Sequence, residues 1–143
     1  MQESDCIFCM IASGAIPSYK VASNETSISF LDINPIARGH ILVIPRKHFS
    51  GLDDVDHEAF AGTMELALRI TRSISGGRFS EGTNLFVSNG EAADQTVKHL
   101  HVHIVPRNSD DNLQWNSWWL SKVKQYSEGE MADTLELIRK CME

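Results

Sequence analysis

The sequence contains no apolar run approaching the roughly 20 residues that cross a bilayer, so it does not read as a membrane protein. Basic residues are in deficit: 13 Lys and Arg stand against 19 Asp and Glu, a net charge of -6. That balance argues against a nucleic-acid partner, which calls for a basic surface. It leaves room for a small phosphorylated ligand, because a local site can be positive on an acidic protein. The start, "MQESDCIFCM", lacks the basic segment and apolar stretch of a signal peptide, and a cytoplasmic protein is expected. Cysteine is scarce. In such a chain Cys6, Cys9 and Cys141 read as thiols or metal ligands rather than disulfide partners. There is no internal repeat, low-complexity segment or linker. With 143 residues, 42% of them hydrophobic, the chain suits one domain with a real core.

Histidine is distributed very unevenly. The stretch "HLHVHIVPR" (His99 to Arg107) places three of the chain's six histidines within five residues. Side chains of a strand alternate between faces, so His99, His101 and His103 are expected on one face, with Leu100, Val102 and Ile104 toward the core. Neighbours on that face stand about 6.6 Å apart, which suits three groups touching different parts of one ligand or metal. Three readings follow from the residues alone. The stretch is a half-exposed strand that happens to use histidine; or it holds a hydrolytic zinc, although no carboxylate base lies within the motif; or its central imidazole is a nucleophile toward a phosphate ester.

The periodicity along the chain predicts the elements. Residues 6–12 suit a short helical turn, broken by Gly14 and Pro17. "KVASNETSISFLD" reads as a hairpin turning near Asn24, with Ile28 and Phe30 alternating with Ser27 and Ser29. "HILVIP" (His40 to Pro45) and "TNLFVSN" read as strands. A long helix is expected from about Glu58 to Ser75, capped by Asp56 and stopped by Gly76 and Gly77. A tail helix is expected from about Glu128 to Cys141. Strands, a helix, more strands and a helix favour an antiparallel α+β sheet over a βαβ series.

The motif and several other segments resemble the histidine triad (HIT) superfamily. "HLHVHIVPR" fits its His-aliphatic-His-aliphatic-His-aliphatic-aliphatic signature. "CIFCMIASGAIPSYKV", "FLDINPIARGHILVIPRKH" and "NGEAADQTVKHLHVH" are similar to segments of small bacterial HIT proteins, in the same order. The likeness covers roughly residues 5 to 107 and, more loosely, the tail. It implies the HIT fold: an antiparallel sheet of about five strands, one long helix, a short N-terminal helix and a C-terminal helix. It implies one HIT domain over 1–143, with its core at about 5–107 and a helical tail at about 108–143.

The resemblance also implies a chemistry: nucleotide hydrolysis or transfer at the α-phosphate of AMP or GMP derivatives. By position His101 is the nucleophile, forming a nucleotidyl-histidine. His103 contacts the phosphate and leaving group, and His40 lies close to the phosphate. Asp32 binds ribose hydroxyls. Ile16, Phe30, Leu31 and Ile33 lie where the family builds its slot for the base; the plain alternative for them is core. Asn89, Gln95, Thr96 and Val97 match the loop that holds phosphate and leaving group. The position before Gln95, glycine in most of the family, is Asp94 here. "QTVKHLHVHIVPR" leans toward the dinucleoside polyphosphate hydrolases, whereas "CIFC" and "FLDI" lean toward the phosphoramidate hydrolases of the Hint-like type. A nucleotide-binding sensor with little catalysis is the alternative from another class.

Cys6-x-x-Cys9 has the spacing of a zinc knuckle. The resemblance completes it with His48 and His99, a closed set implying a structural Zn2+ and no metal in catalysis. It further implies a homodimer, to which the long helix could contribute. Cys141 is expected as a thiol on the tail helix and His57 as solvated surface. Trp115, Trp118 and Trp119 cluster in the tail, where packing near the dimer's active site and plain packing are equal alternatives.

Overall fold

The structure, a computed structural model, describes residues 5–143. It forms two compact units, one ending at Asp111 and one spanning Asn112–Glu143. In chain order the first unit holds α1 (Ile7–Ser13), β1 (Lys20–Ser23), β2 (Ser27–Leu31), β3 (Ile41–Pro45), α2 (His57–Ile74), β4 (Gly82–Phe86) and β5 (Val102–Arg107). The second holds α3 (Trp115–Ser121) and α4 (Glu130–Cys141). No helix among the described residues is long and apolar enough to cross a membrane.

The five strands make one antiparallel sheet in the order β1-β2-β3-β5-β4. Its inner strands are apolar on both faces because both faces are covered. Ile28, Phe30, Leu42 and Ile44 pack with Cys6, Phe8 and Ile11, the last two from α1. Ile41, Val43, Val102 and Ile104 pack on the other side against Leu66, Ala67 and Ile70 of α2. Directly opposed residues of antiparallel strands share a face. The register therefore builds a row, Phe30–Leu42–His103–Phe86, across the α1 side of the sheet. This row carries His103 to the edge of the α1-side core.

Local chemistry explains the boundaries. Asp56 caps α2 by accepting from the Ala59 backbone N–H at 2.8 Å, a contact worth about 1 kcal/mol. Asn24 closes the first hairpin by accepting from the N–H groups of Thr26 and Ser27. Ser27 and Ser29, which alternate with Ile28 and Phe30 as read, are buried on the α2 side. Each has a partner there: Ser27 pairs with the Thr63 hydroxyl at 2.9 Å, and Ser29 bonds both backbone groups of Ala22 at the irregular register of β1. The expected tail helix is α4, two residues shorter at its start, and α3 is an additional helix over the tryptophans. Trp118 and Trp119 are exposed.

Candidate active site

The triad does not lie in one regular strand. Pairing begins only at Val102, and the chain bends ahead of it. His99 and His101 sit in that unpaired approach, anchored by the Leu100 N–H donating to the Phe49 carbonyl at 2.7 Å. Leu100, Val102 and Ile104 point into the core as the alternation predicts. The three imidazoles lie on the opposite, α1 side: Phe8 contacts both His99 and His101, and the rings of His101 and His103 stand with centroids 4.8 Å apart.

Each ring is fixed by a different hydrogen bond. His101 Nδ1 lies 2.7 Å from the His99 carbonyl oxygen. A carbonyl can only accept, so the proton of neutral His101 sits on Nδ1 and Nε2 keeps its lone pair. Next to it the opposite tautomer is set. The Ile36 N–H donates to His40 Nδ1 at 3.3 Å, which leaves the His40 proton on Nε2. His40 Nε2 lies 2.9 Å from His103 Nδ1 and donates to it, so the His103 proton sits on Nε2. One neighbour thus offers a lone pair at Nε2 and the other an N–H at Nε2. Phe86 stacks under His103 with centroids 4.3 Å apart and planes 9° apart, which holds the ring flat.

Burial is the main electrostatic influence. It pushes His103 down to about 4, with His101 and His40 adding to the shift and Asp32 opposing it. Burial also lowers His101, against the hydrogen bond to the His99 carbonyl and the Asp32 charge, and lowers His40 against Asp32. These imidazoles are neutral near pH 7, the state a nitrogen nucleophile needs. His40 itself is buried, with its Nε2 committed to His103.

Asp32 follows β2 and is brought beside these rings, its Oδ2 3.8 Å from His40 Nε2 and its Oδ1 accepting from the Asn34 N–H at 2.8 Å. Asp32, His40 and His103 are close enough to face one cation. The hydrogen-bond order leaves no such role, because the facing nitrogens of the two rings already share one proton. Gly39 makes the approach of His40 possible: it sits at φ +80°, and a Cβ there would stand 2.5 Å from the Phe79 ring.

The predicted base-slot residues separate. Phe30 is fully in the α1-side core and Ile16 is half-buried against it, as is Val97 of the predicted phosphate loop, so all three have a core role. Leu31 and Ile33 are exposed, Ile33 to 80% of its surface.

In the predicted phosphate loop, Asn89 and Gln95 have their side chains committed to the chain. Gln95 Nε2 donates to the Ser50 and Val97 carbonyls at 2.7 and 3.0 Å, and its Oε1 accepts from the Gly90 N–H at 2.8 Å. Asn89 Oδ1 accepts from the Leu52 N–H at 2.8 Å, and its Nδ2 donates to Asp53. Together they latch the 50–54 loop to the 89–97 loop. Thr96 is exposed. Asp94 adopts φ 60°, the left-handed conformation that glycine adopts most freely.

A second cluster lies on the inner side of His99. Cys6 Sγ and Cys9 Sγ each stand 3.4 Å from His99 Nδ1, and Cys9 Sγ stands 3.3 Å from His48 Nδ1. The four ligand atoms all lie within 4.8 Å of one another. Two sulfurs and two imidazole nitrogens around a tetrahedral Zn2+ would have S···N edges of about 3.5 Å, so the donor set fits that ion. The His99 Nε2–H donates to the Pro45 carbonyl at 2.9 Å, which leaves Nδ1 unprotonated toward the sulfurs and supplies the outer hydrogen bond that such ligands take.

Sequence reasoning missed the supports of this site: Phe8, Phe86, the Pro45 carbonyl and the Ile36 N–H. Phe86 was accessible through strand register, and Phe8 through its place between the two cysteines. The backbone groups carry no sequence signal.

Comparison with known proteins gives this arrangement its class. The profile of the HIT domain matches residues 13–110, and the chain belongs to that family. An adenosine 5'-monophosphoramidase of Schizosaccharomyces pombe is 35% identical over 128 residues, covering 87% of this chain and 93% of the relative. A solved structure from Streptococcus mutans superposes with a TM-score of 0.86 at 33% identity, covering 99% of this chain and 88% of that one. A zinc-bound histidine triad family protein from Mycobacterium smegmatis is similar at TM-score 0.73 and 39% identity, covering 80% and 83%.

Proposed function

We propose that the chain hydrolyses or transfers nucleotides at the α-phosphate of AMP or GMP derivatives, either nucleoside phosphoramidates or dinucleoside polyphosphates, with His101 as nucleophile. The observation that carries this reading is the 2.7 Å hydrogen bond from His101 Nδ1 to its own chain at His99, which leaves Nε2 with a lone pair. The phosphoramidase activity in the name of the Schizosaccharomyces pombe relative supports the substrate class.

In this reading the His101 Nε2 lone pair forms the bond to phosphorus, and the bond to the leaving group breaks with its electron pair. Positive charge appears on the imidazole, and the His99 carbonyl stabilises it at Nδ1–H. The His103 Nε2–H donates to the phosphoryl or leaving-group atom where negative charge grows. His40 holds His103 in that tautomer. Water then displaces the His101 nitrogen, releasing the nucleotide and restoring the neutral ring. Asp32 takes the ribose hydroxyls, Ile16, Phe30, Leu31 and Ile33 face the base, and Val97 belongs to the phosphate loop. Asn89 and Gln95 shape the phosphate loop, whose backbone and Thr96 hydroxyl meet the phosphate.

A structural Zn2+ held by Cys6, Cys9, His48 and His99 belongs to the same reading. The fit of the donor distances and the zinc-bound Mycobacterium smegmatis relative support it. The chain acts as one HIT domain and as a homodimer. The unpaired outer edge of β4, with Leu85 exposed on it, and Leu68 exposed on α2 suit a two-fold contact. A solution mass twice 16.0 kDa is expected, and a monomer would overturn the dimer.

The test is a parallel assay on adenosine phosphoramidate and diadenosine triphosphate with wild-type protein and His101→Ala. Turnover of at least one substrate, lost by at least about 10³-fold in the variant while AMP still binds, is expected. Tight AMP binding with no turnover of either substrate would favour the sensor reading instead.

A further inference from the structure

The segment Cys6-Ile7-Phe8-Cys9 touches two of the three triad histidines, and does so from three of its four residues. Cys6 and Cys9 meet His99 Nδ1, and the other nitrogen of that ring is tied to Pro45, so the His99 ring is held from both sides. The backbone carbonyl of this doubly held residue is the acceptor for His101 Nδ1. Between the cysteines, Phe8 is buried and sets its ring edge-on to His101, with centroids 5.2 Å apart at 79°, and to His99 at 5.9 Å and 73°. Phe30 backs Phe8 in turn at 5.6 Å.

We propose that the Cys6–Cys9 turn is a positioning element for His101, with Phe8 as a positioning residue. The cysteine-held His99 fixes the carbonyl that selects the His101 tautomer, and Phe8 fixes the plane of the ring. The metal set is then more than a staple for the N-terminus, because its loading decides which His101 nitrogen carries the lone pair. If the His99 carbonyl drifts, neutral His101 populates its other tautomer, with the proton on Nε2 and the lone pair turned toward the chain. Substrate still fits, since nothing in the nucleotide contacts has moved, but the nucleophile is present in only part of the molecules. The signature is a fall in kcat with little change in KM. This inference rests on the reading of His101 as nucleophile and of the four-residue set as a zinc site.

The experiment uses the zinc-loaded, 15N-labelled full chain. Long-range 1H–15N spectra at neutral pH read the His101 tautomer directly, with no substrate present. The wild-type protein is expected to bind one zinc and to show His101 protonated at Nδ1 alone. Metal stripping by a chelator, or Cys9→Ser, is expected to give mixed tautomers at His101 in a protein still folded by circular dichroism. kcat should drop about 10- to 100-fold with KM within about twofold. Phe8→Ala is expected to lower kcat with zinc still bound, and Phe8→Leu to restore most of it. A folded metal-free protein with an unchanged His101 tautomer would overturn the proposal, as would a wild-type chain that binds no zinc. If the metal-free forms unfold, the Phe8 pair decides: Phe8→Ala with wild-type kcat and tautomer overturns it. Because the tautomer is read without substrate, the inference can stand or fall even if neither nucleotide is turned over.

Discussion

His40 Nε2 donates to His103 Nδ1 across 2.9 Å, and this bond orders the protons on the whole edge of the site. Both rings are buried enough to resist charging. The His103 value of about 4 lies below the ordinary 6.5, so the unfolded chain binds a proton there that the native chain refuses. The native state is therefore favoured by this group above pH 6.5, and the contribution is lost as pH falls toward about 4. Asp32 is the one charge facing His103 that opposes the shift; His101 and His40 reinforce it. An NMR titration should show the His103 ring still neutral at about pH 5, and His103→Gln should flatten the fall of Tm across that acid window. A ring titrating near 6.5 would contradict the burial argument.

Asp94 stands in the left-handed region, which costs a residue with a Cβ roughly 1–2 kcal/mol and aspartate less than most. Asp94→Gly should leave stability equal or raise it by up to about 1 kcal/mol, and Asp94→Ala should be about 1 kcal/mol less stable than Asp94→Gly. Urea unfolding of the pair measures this. An alanine variant as stable as the glycine variant would show that the strain is absent.

Gln95 spends both amide hydrogens and its oxygen on the chain, bridging Ser50, Val97 and Gly90. Gln95→Ala should therefore act on the loop: a loss of about 1–3 kcal/mol in stability and faster amide exchange at Gly90. Gly51→Ala should strike the same latch, since its Cβ would stand 2.4 Å from Asn89 Oδ1. Unchanged exchange at Gly90 in Gln95→Ala would contradict the latch.

Zinc should be present at one ion per chain and leave on prolonged chelation. Cobalt in its place should give the thiolate-to-metal absorption of a tetrahedral sulfur-containing site, and Cys6→Ser should weaken that band and lower Tm. A cobalt complex without thiolate bands would place the metal elsewhere.

Much of this was legible in the residues. The α2 cap at Asp56, the hairpin at Asn24 and the apolar run of β3 are local signals that the fold keeps. The pairing of "CIFC" with His48 and His99 came from the family likeness, and the four residues do meet. What local pattern could not give was the cover over each face. Alternation put His99, His101 and His103 on one face, and Phe8 meets both His99 and His101 there, but that α1 covers this face and buries both rings needed tertiary structure. Ser27 and Ser29 alternate with Ile28 and Phe30 as read, yet both are buried, Ser27 with a hydroxyl partner from α2 and Ser29 with the Ala22 backbone, which local pattern does not reveal. Gln95 and Asn89 have side chains suited to a phosphate, yet the fold uses them between loops, a choice fixed by tertiary neighbours about 40 positions away in sequence.

The most direct measurement of the central claim is the mass of the protein quenched in alkali, where the acid-labile P–N bond survives, during turnover of a nucleotide substrate. A mononucleotide adduct should form within the first turnover, and peptide mapping should place it on His101 alone. Full turnover with no adduct on His101, or with the adduct on another side chain, would contradict the account.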